Sequence, residues 1–225
     1  MKLQSYSLHN YKNIPQIVKL SSEQIEAIEI VGNVLPFKTN NYVVNELINW
    51  DNIDNDPMFK LTFPQKGMLS EEHYKAMKIV LEHTKNKDEI KNIANIIRNE
   101  LNPHPAGQLE HNVPEVNGEK LMGMQHKYKE TVLFFPSQGQ TCHAYCTFCF
   151  RWPQFVGMDE LKFATKEASL LRDYVIENKQ VTVILFTGGD PMIMKAKSFA
   201  SYIEPLLEAD MPNLQTIRIG TKALA

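Results

Sequence analysis

Hydrophobic residues recur at helical spacing in the first hundred positions, whereas later in the chain they form short uninterrupted runs. Apolar residues three and four positions apart predict amphipathic helices, and short apolar runs between polar or glycine residues predict buried parallel strands. The predicted helices are 21–33, 40–50, 70–83, 88–101, 165–178 and 196–209, and the predicted strands are 131–135, 182–186 and 216–220. The pattern therefore predicts an α/β protein whose first half is helical.

Capping signals mark the starts of three predicted helices. Ser21 with Gln24 three residues later forms a capping-box pattern. Ser70 precedes two acidic residues, which the helix dipole favours in a first turn. Asp88 is the predicted cap of the fourth helix.

A connection rich in Pro, Gly and Asn at 102–125 separates the two halves. We expect a helical N-terminal region at 1–125, which includes this connection, and a β/α domain at 126–225. In the second region the predicted order is strand, cysteine loop, helix, strand, helix, strand. This alternation is typical of a parallel sheet.

Composition excludes several classes of partner. A net charge of −2 leaves no basic surface for nucleic acid. The first residues lack the apolar core of a signal peptide, and no window approaches a membrane-spanning length. We therefore expect a cytoplasmic protein without nucleic-acid or membrane partners.

All three cysteines of the chain, Cys142, Cys146 and Cys149, lie in the stretch TCHAYCTFCFRW. Buried filler cysteines would be scattered among apolar segments, and an odd cluster does not suit a disulfide framework. The pattern indicates a metal site. Zinc would need a fourth ligand, for which His126 or His143 could serve. A four-iron cluster held by three thiolates, with one iron open, is the other interpretation.

Two motifs resemble those of radical S-adenosylmethionine enzymes. CHAYCTFCFR resembles the CxxxCxΦC motif, with Phe148 at the aromatic position, and LFTGGDP at 185–191 resembles the glycine pair that holds the methionyl end of S-adenosylmethionine. The resemblance implies a [4Fe–4S] cluster on the three cysteines and S-adenosylmethionine near Gly188, Gly189 and Asp190. Asp190 would accept from the methionyl ammonium or cap the following helix. A Cys3His zinc-binding interaction module without catalysis is the alternative.

The implied chemistry is reductive. In such enzymes S-adenosylmethionine chelates the open iron, and one electron cleaves it to a 5′-deoxyadenosyl radical that abstracts a substrate hydrogen. A reductant such as flavodoxin or ferredoxin is an implied partner.

Further stretches are similar to the lysine 2,3-aminomutase-like family: HKYKETVLFF at 126–135, GGDPMIM, IRIGTK and, more loosely, DPMFKLTFP at 56–64. This resemblance implies an isomerase that moves an amino group on an amino acid such as lysine. Arg151 would hold the substrate carboxylate, or offset the negative charge of the cluster. The family binds pyridoxal phosphate partly through the segment that includes Lys127 and Tyr128, but Thr131 stands where a phosphate-binding arginine is usual.

The resemblance also implies a fold, the first half of a radical SAM partial (β/α)6 barrel. Only 83 residues follow Cys142, which suffices for three strands and two helices. An open half-barrel exposes a sheet edge. We therefore expect this chain to be a fragment of a longer protein, or to be completed by a second copy or another barrel-completing segment.

Overall fold

A computed structural model describes residues 2–102, 110–116, 118–157 and 163–223. It divides into two compact units. The helical unit comprises Met1–Pro103 and His143–Val156, and the sheet unit comprises His104–Cys142 and Gly157–Ala225. The domain boundary at residue 125 stays a prediction, and the units differ from it twice, because the sheet unit begins at His104 and the helical unit includes the cysteine-loop residues 143–156. Residues 103–109 and 117 of the predicted connection lie outside the described residues.

The helical unit contains four α-helices among its described residues, together with one small antiparallel sheet. The helices are α1 (Ser22–Val34), α2 (Pro57–Thr62), α3 (Glu71–His83) and α4 (Lys87–Leu101), and the paired strands are β1 (Ser5–Ser7) and β2 (Lys38–Asn40). Short 3₁₀ segments lie at Tyr11–Asn13, Pro15–Lys19, Trp50–Asn55, Lys66–Met68 and Trp152–Phe155, and a π-helical segment lies at Val43–Leu47.

Capping explains where these helices begin. The capping box of α1 is confirmed, because the Ser21 hydroxyl accepts from the Gln24 amide and the Gln24 side chain accepts from the Ser21 amide. The Ser70 hydroxyl likewise caps α3. The cap predicted for α4 is wrong: Asn86 caps this helix by accepting from the backbone amide of Asp88 at 2.9 Å, which puts Asp88 in the first turn.

The helix predicted over 40–50 is confirmed only in part, because the chain is helical over 41–47 and takes the π-helical form at Val43–Leu47. An α-helix would need a bond from the Ile48 amide to the Val44 carbonyl. That carbonyl instead accepts from the Trp50 indole at 2.7 Å, and the Ile48 amide donates to the Val43 carbonyl at 3.1 Å. A buried tryptophan that needs a hydrogen-bond acceptor thus overrides the local helical pattern.

Aromatic residues form one core of the helical unit. Phe63 is fully buried and packs against the rings of Phe59 and Phe37 at centroid distances of 4.9 and 5.2 Å. Trp50 meets Phe63 edge-on at 6.1 Å. Ala144, from the cysteine loop, is buried in the same cluster. This core therefore anchors the loop as well as the helices.

The sheet unit is built around a four-stranded sheet. Its strands, in spatial order, are β5 (Met124–Tyr128), β6 (Thr131–Phe134), β7 (Val183–Phe186) and β8 (Thr216–Ile219), while β3 (Glu115–Val116) and β4 (Glu119–Lys120) form a separate hairpin. Helices α5 (Ala168–Glu177) and α6 (Ala196–Leu207) follow β6 and β7 in the chain, and 3₁₀ segments lie at Ser137–Gly139 and Pro191–Ile193. The predicted strand–helix alternation is confirmed, since β6, β7 and β8 are parallel. The strand β5, antiparallel to β6, adds an edge that the pattern did not predict as a strand.

The register of the parallel strands brings their carboxyl ends together. Phe134 pairs with Phe186, and Phe186 pairs with Ile219. The residues that follow these three therefore leave the sheet at one edge, here called the carboxyl edge. On one face of the sheet Phe134 and Phe186 are fully buried and in contact with each other, and Phe134 also contacts Tyr202 of α6. Within the described residues, no helix has the length and apolar character needed to cross a membrane.

Candidate functional site

The cysteine loop is fixed to the helical unit by backbone hydrogen bonds. The side-chain amide of the buried Asn40, at the end of β2, donates to the His143 carbonyl at 3.2 Å, and the Tyr145 backbone amide donates to the Lys38 carbonyl at 2.8 Å. Further on, the Thr147 amide donates to the carbonyl of Leu61 in α2 at 2.8 Å. These bonds use main-chain atoms on both sides of Cys146. The loop backbone is thus positioned independently of its thiols.

Within the loop, the cysteines shape two successive tight turns. The Cys149 amide donates to the Cys146 carbonyl at 3.1 Å, and the Trp152 amide donates to the Cys149 carbonyl at 3.1 Å. All three cysteines are half-buried and none forms a disulfide. Phe148, by contrast, is 78% exposed.

The thiols are not gathered into a metal-binding group. Over the residues that the structure describes, no set of three or more His, Cys, Asp or Glu side chains is placed to hold a metal ion. The donor set itself, three thiols in one half-buried loop, suits an iron–sulfur cluster, whose ligands are cysteine thiolates. The assignment of Cys142, Cys146 and Cys149 as cluster ligands therefore stays a prediction.

The end of the loop returns to the helical unit through aromatic contacts. Tyr145 stacks on Phe155 with a centroid distance of 4.8 Å and an interplanar angle of 9°. Trp152 packs against the core cluster shared by α1, α3 and α4. Arg151 is half-buried at the start of the 3₁₀ segment, and its role toward a carboxylate stays a prediction.

The diglycine turn lies at the carboxyl edge, directly after β7, and it packs against the chain itself. A Cβ on Gly189 would lie 2.4 Å from the Thr141 carbonyl oxygen and 2.5 Å from its amide nitrogen. A Cβ on Gly188, whose φ is +130°, would lie 2.1 Å from the Gln140 side chain. Gln140 and Thr141 immediately precede Cys142. The sequence predicts that the two glycines let a ligand come close to the backbone. In the structure, they lie in close contact with the segment that leads to the first cysteine.

Asp190 is a buried carboxylate that connects three segments of the carboxyl edge. It is 1% exposed, and it accepts from the Met192 amide at 2.9 Å, the Thr221 hydroxyl at 2.6 Å and the Lys222 amide at 3.1 Å. Its own amide donates to the carbonyls of Gly139 and Thr141. The helix-cap interpretation is confirmed, and its role toward an ammonium group stays a prediction. Thr221 was missed by sequence reasoning, because nothing in the TK dipeptide indicates a partner 31 residues earlier.

Lys127 and Tyr128 lie at the opposite end of the parallel strands from the carboxyl edge, next to the start of β6. Tyr128 pairs with Thr131 at the start of β6, and it is 59% exposed with the Lys127 ammonium 5.8 Å from its ring. The structure therefore does not bring these residues together with Gly188 and Gly189.

His126 is engaged by its neighbours in the sheet unit. Its two ring nitrogens lie 2.6 Å from the Tyr174 hydroxyl and 3.3 Å from the Lys129 carbonyl. A zinc ligand needs one ring nitrogen for the metal. Of the two histidines considered for zinc, His143 is thus the one that remains.

Comparison with known proteins gives several relatives with one name, although no protein-family model matches the chain. A protein of Aquifex aeolicus, provisionally named L-lysine 2,3-aminomutase, is 28% identical over 209 residues, which is 93% of this chain and 44% of that protein. The L-lysine 2,3-aminomutase of Haemophilus influenzae is 32% identical over 108 residues, 48% of this chain and 30% of the relative. That of Clostridium subterminale is 28% identical over 117 residues, 52% of this chain and 27% of the relative.

The chain spans less than half the length of each of these relatives. The Aquifex similarity leaves only 16 of the 225 residues unaligned, so it includes both the cysteine loop and the diglycine turn. Together with the two motifs, these similarities support a relationship of the chain to the lysine 2,3-aminomutase-like family of the radical S-adenosylmethionine superfamily.

Proposed function

We propose that this chain forms the cluster- and S-adenosylmethionine-binding part of a radical enzyme that moves an amino group on an amino acid such as lysine. The observation that carries the proposal is the similarity to proteins named L-lysine 2,3-aminomutase, which extends over 93% of the chain in the Aquifex relative. The fold that we propose around it is the first half of a partial (β/α)6 barrel, and the three parallel strands β6, β7 and β8 are compatible with that architecture.

The proposed ligands of a [4Fe–4S] cluster are Cys142, Cys146 and Cys149. Three thiolates on such a cluster leave one iron for a substrate group, and they leave about one unit of net negative charge. When bound, the cluster and S-adenosylmethionine supply one-electron cleavage of a carbon–sulfur bond, which gives the radical that abstracts a substrate hydrogen. The chain's own task is to hold these groups in position and to exclude water.

Several residues support that task from the carboxyl edge and the loop. The contact of Gly188 and Gly189 with Gln140 and Thr141 fixes the backbone that enters Cys142. We propose that Arg151 holds a substrate carboxylate, since a guanidinium presents two parallel donors to such a group. The exposed ring of Phe148 is proposed to cover the bound cofactor.

Pyridoxal phosphate is not part of this proposal. Lys127 and Tyr128, the residues suggested for it, lie at the edge of the sheet opposite the diglycine turn. A cofactor held there would be remote from the residues proposed to bind S-adenosylmethionine, and the use of pyridoxal phosphate by this chain stays a prediction.

The test uses the whole 225-residue chain, reconstituted with iron and sulfide without oxygen. We expect about four irons and four sulfides per chain, and 5′-deoxyadenosine formed from S-adenosylmethionine when a reductant is present. Cys146→Ser should lose the cluster and the cleavage activity together. Full iron, sulfide and activity in that variant would refute the proposal.

A matched variant distinguishes the iron–sulfur proposal from the zinc alternative, which the comparisons do not favour. A Cys3His zinc module would bind one zinc without sulfide and would lose it in His143→Ala. The iron–sulfur proposal expects His143→Ala to keep its iron. Cleavage of S-adenosylmethionine without movement of an amino group on L-lysine, followed by chromatography, would contradict only the proposed substrate.

The remaining proposals follow from this chemistry. A one-electron reductant is required, and we propose flavodoxin or ferredoxin for it. Because iron–sulfur clusters are sensitive to oxygen, we propose a cytoplasmic location. We also propose that the exposed strand β8 is covered by a barrel-completing segment or by a second copy, since unpaired strand edges promote association.

A further inference from the structure

A cleft of about 520 Å³ lies within the helical unit, and none of the predicted site residues lines it. It is bounded by the end of β1 and residues 8–9, by the end of α1 and residues 35–37, by one face of α4, and by Phe155 and Val156. Pockets for small ligands commonly have volumes of about 300–1,000 Å³. The cleft is therefore large enough for a small organic molecule.

The charged residues that line the cleft all have one sign. Lys87, Lys91 and Arg98 are cationic, and none of the described residues in the lining is Asp or Glu. Lys87 and Lys91 lie four residues apart on α4, so they share one helix face. No salt bridge to either lysine is found among the described residues. Two ammonium groups and a guanidinium thus face one cleft without a neutralising carboxylate.

Arg98 is held in a fixed position by neighbouring carbonyl groups. Its Nε donates to the Val34 carbonyl at 2.6 Å, one terminal nitrogen donates to the Asn33 carbonyl at 3.0 Å, and the other donates to the Asn95 side chain at 2.8 Å. A guanidinium has five N–H donors, so two are left over when partners among the described residues are counted. Burial lowers the pKa of Arg98, which reflects the cost of desolvating its charge. An anion in the cleft would compensate that cost.

The remaining walls of the cleft are mostly apolar. Leu8, Phe37, Ile90, Ala94 and Phe155 contribute to them. A preformed pocket with apolar walls and a few polar groups selects a ligand by orienting it between the two kinds of surface. A simple inorganic anion would leave the apolar walls uncovered.

We propose that this cleft binds a small organic anion, with an apolar body against Phe37 and Phe155 and a phosphate or carboxylate group against Lys87, Lys91 and Arg98. None of the residues that line the cleft is among those proposed for the cluster or for S-adenosylmethionine. It has one physical link to them, because Phe155 stacks on Tyr145, the residue before Cys146. The occupant would therefore contact a ring that supports the cysteine loop.

The test measures binding of 1-naphthyl phosphate to the whole chain by isothermal titration calorimetry, with neutral 1-naphthol as the matched ligand. We expect saturable binding of the phosphate and at least tenfold weaker binding of 1-naphthol. Lys91→Gln should weaken the phosphate complex about three- to tenfold, as loss of one charge-assisted contact does. The control is Lys75→Gln, which removes the same charge from an exposed position on α3 outside the cleft and should bind like the wild type.

Three results would overturn the proposal: no saturable binding, equal affinity for both ligands, or equal weakening by Lys91→Gln and Lys75→Gln. Arg98→Gln should abolish binding, and a thermal melt of this variant shows whether it still folds. If it does not fold, Lys87→Gln is used instead, and this variant should weaken binding as much as Lys91→Gln does. Cys146→Ser should bind 1-naphthyl phosphate like the wild type. This variant separates the cleft from the proposed cluster function, since it removes only the latter.

Discussion

Replacing Gly189 by alanine tests whether the diglycine turn supports the chain itself. The added Cβ would lie 2.4, 2.5 and 2.6 Å from the carbonyl oxygen, amide nitrogen and carbonyl carbon of Thr141. Real Cβ atoms essentially never come closer than 3.0 Å to such atoms, so the backbone must shift by about 0.6 Å for the oxygen alone. All three atoms belong to backbone rather than to a flexible side chain. The strain therefore cannot be relieved by a rotamer change.

Overpacking of this kind costs about 2–3 kcal/mol of unfolding free energy. For a chain of this size such a loss lowers the melting temperature by roughly 5–10 °C. The affected backbone is the segment between β6 and Cys142, and Asp190 also bonds to it through the carbonyls of Gly139 and Thr141. We expect the strain to loosen these bonds first.

The assay compares thermal unfolding and amide hydrogen exchange of the apo chain, without iron or S-adenosylmethionine. Gly67→Ala is the matched control, because a Cβ on Gly67 meets no atom within 4 Å, and we expect it to change stability by less than about 0.5 kcal/mol. Gly189→Ala should melt lower and exchange faster at residues 136–142. If its apo form melts and exchanges like the wild type, the glycine serves only the approach of a ligand and the packing argument is refuted.

Two further predictions concern the helical unit. Asn40→Ala removes the donor to the His143 carbonyl and the acceptor for the Val43 amide, so urea unfolding should show a loss of about 2–3 kcal/mol in the free energy of unfolding. The control, Asn45→Ala at an exposed position, should lose less than about 0.5 kcal/mol. Equal losses in the two variants would contradict the anchoring role of Asn40. Burial and the hydrogen bond to Glu26 raise the pKa of Tyr74 to about 12. Because the folded chain binds this proton more tightly than the unfolded chain, its contribution is complete below pH 10 and is lost as the pH rises towards 12. Stability measured across this range should therefore fall by roughly 2 kcal/mol more in the wild type than in Tyr74→Phe, and parallel curves would disprove the assignment.

Local signals predicted most of the regular structure. The capping box at Ser21 and the cap at Ser70 place α1 and α3, because these hydrogen bonds involve residues only three apart. The parallel strands follow from apolar runs that become buried pairs such as Phe134 with Phe186. These features depend on short stretches of sequence. They are therefore visible before any tertiary contact is known.

The failures arise where a side-chain contact outside the predicted repeat decides the local structure. The Trp50 indole takes the Val44 carbonyl and converts a predicted helix into a π-helical segment. The Asp190 carboxylate bonds to Thr221, a pairing across 31 positions that no local pattern encodes. The diglycine motif indicated the correct turn, but the contact with Thr141 that requires glycine depends on the sheet register.

The units of the structure also explain what the helical half contributes to the predicted chemistry. The motif alone assigns the cysteine loop to the β/α half, yet Ala144 is buried in the aromatic core around Phe63, and the loop backbone bonds to β2 and α2. Three thiolate ligands repel one another because each is negatively charged, so the chain must hold them close together. Main-chain bonds on both sides of Cys146 can supply that restraint without using the thiols. The first hundred residues are therefore the support of the cysteine loop, and a chain cut at the predicted boundary of residue 125 would retain the cysteines but lose their anchor.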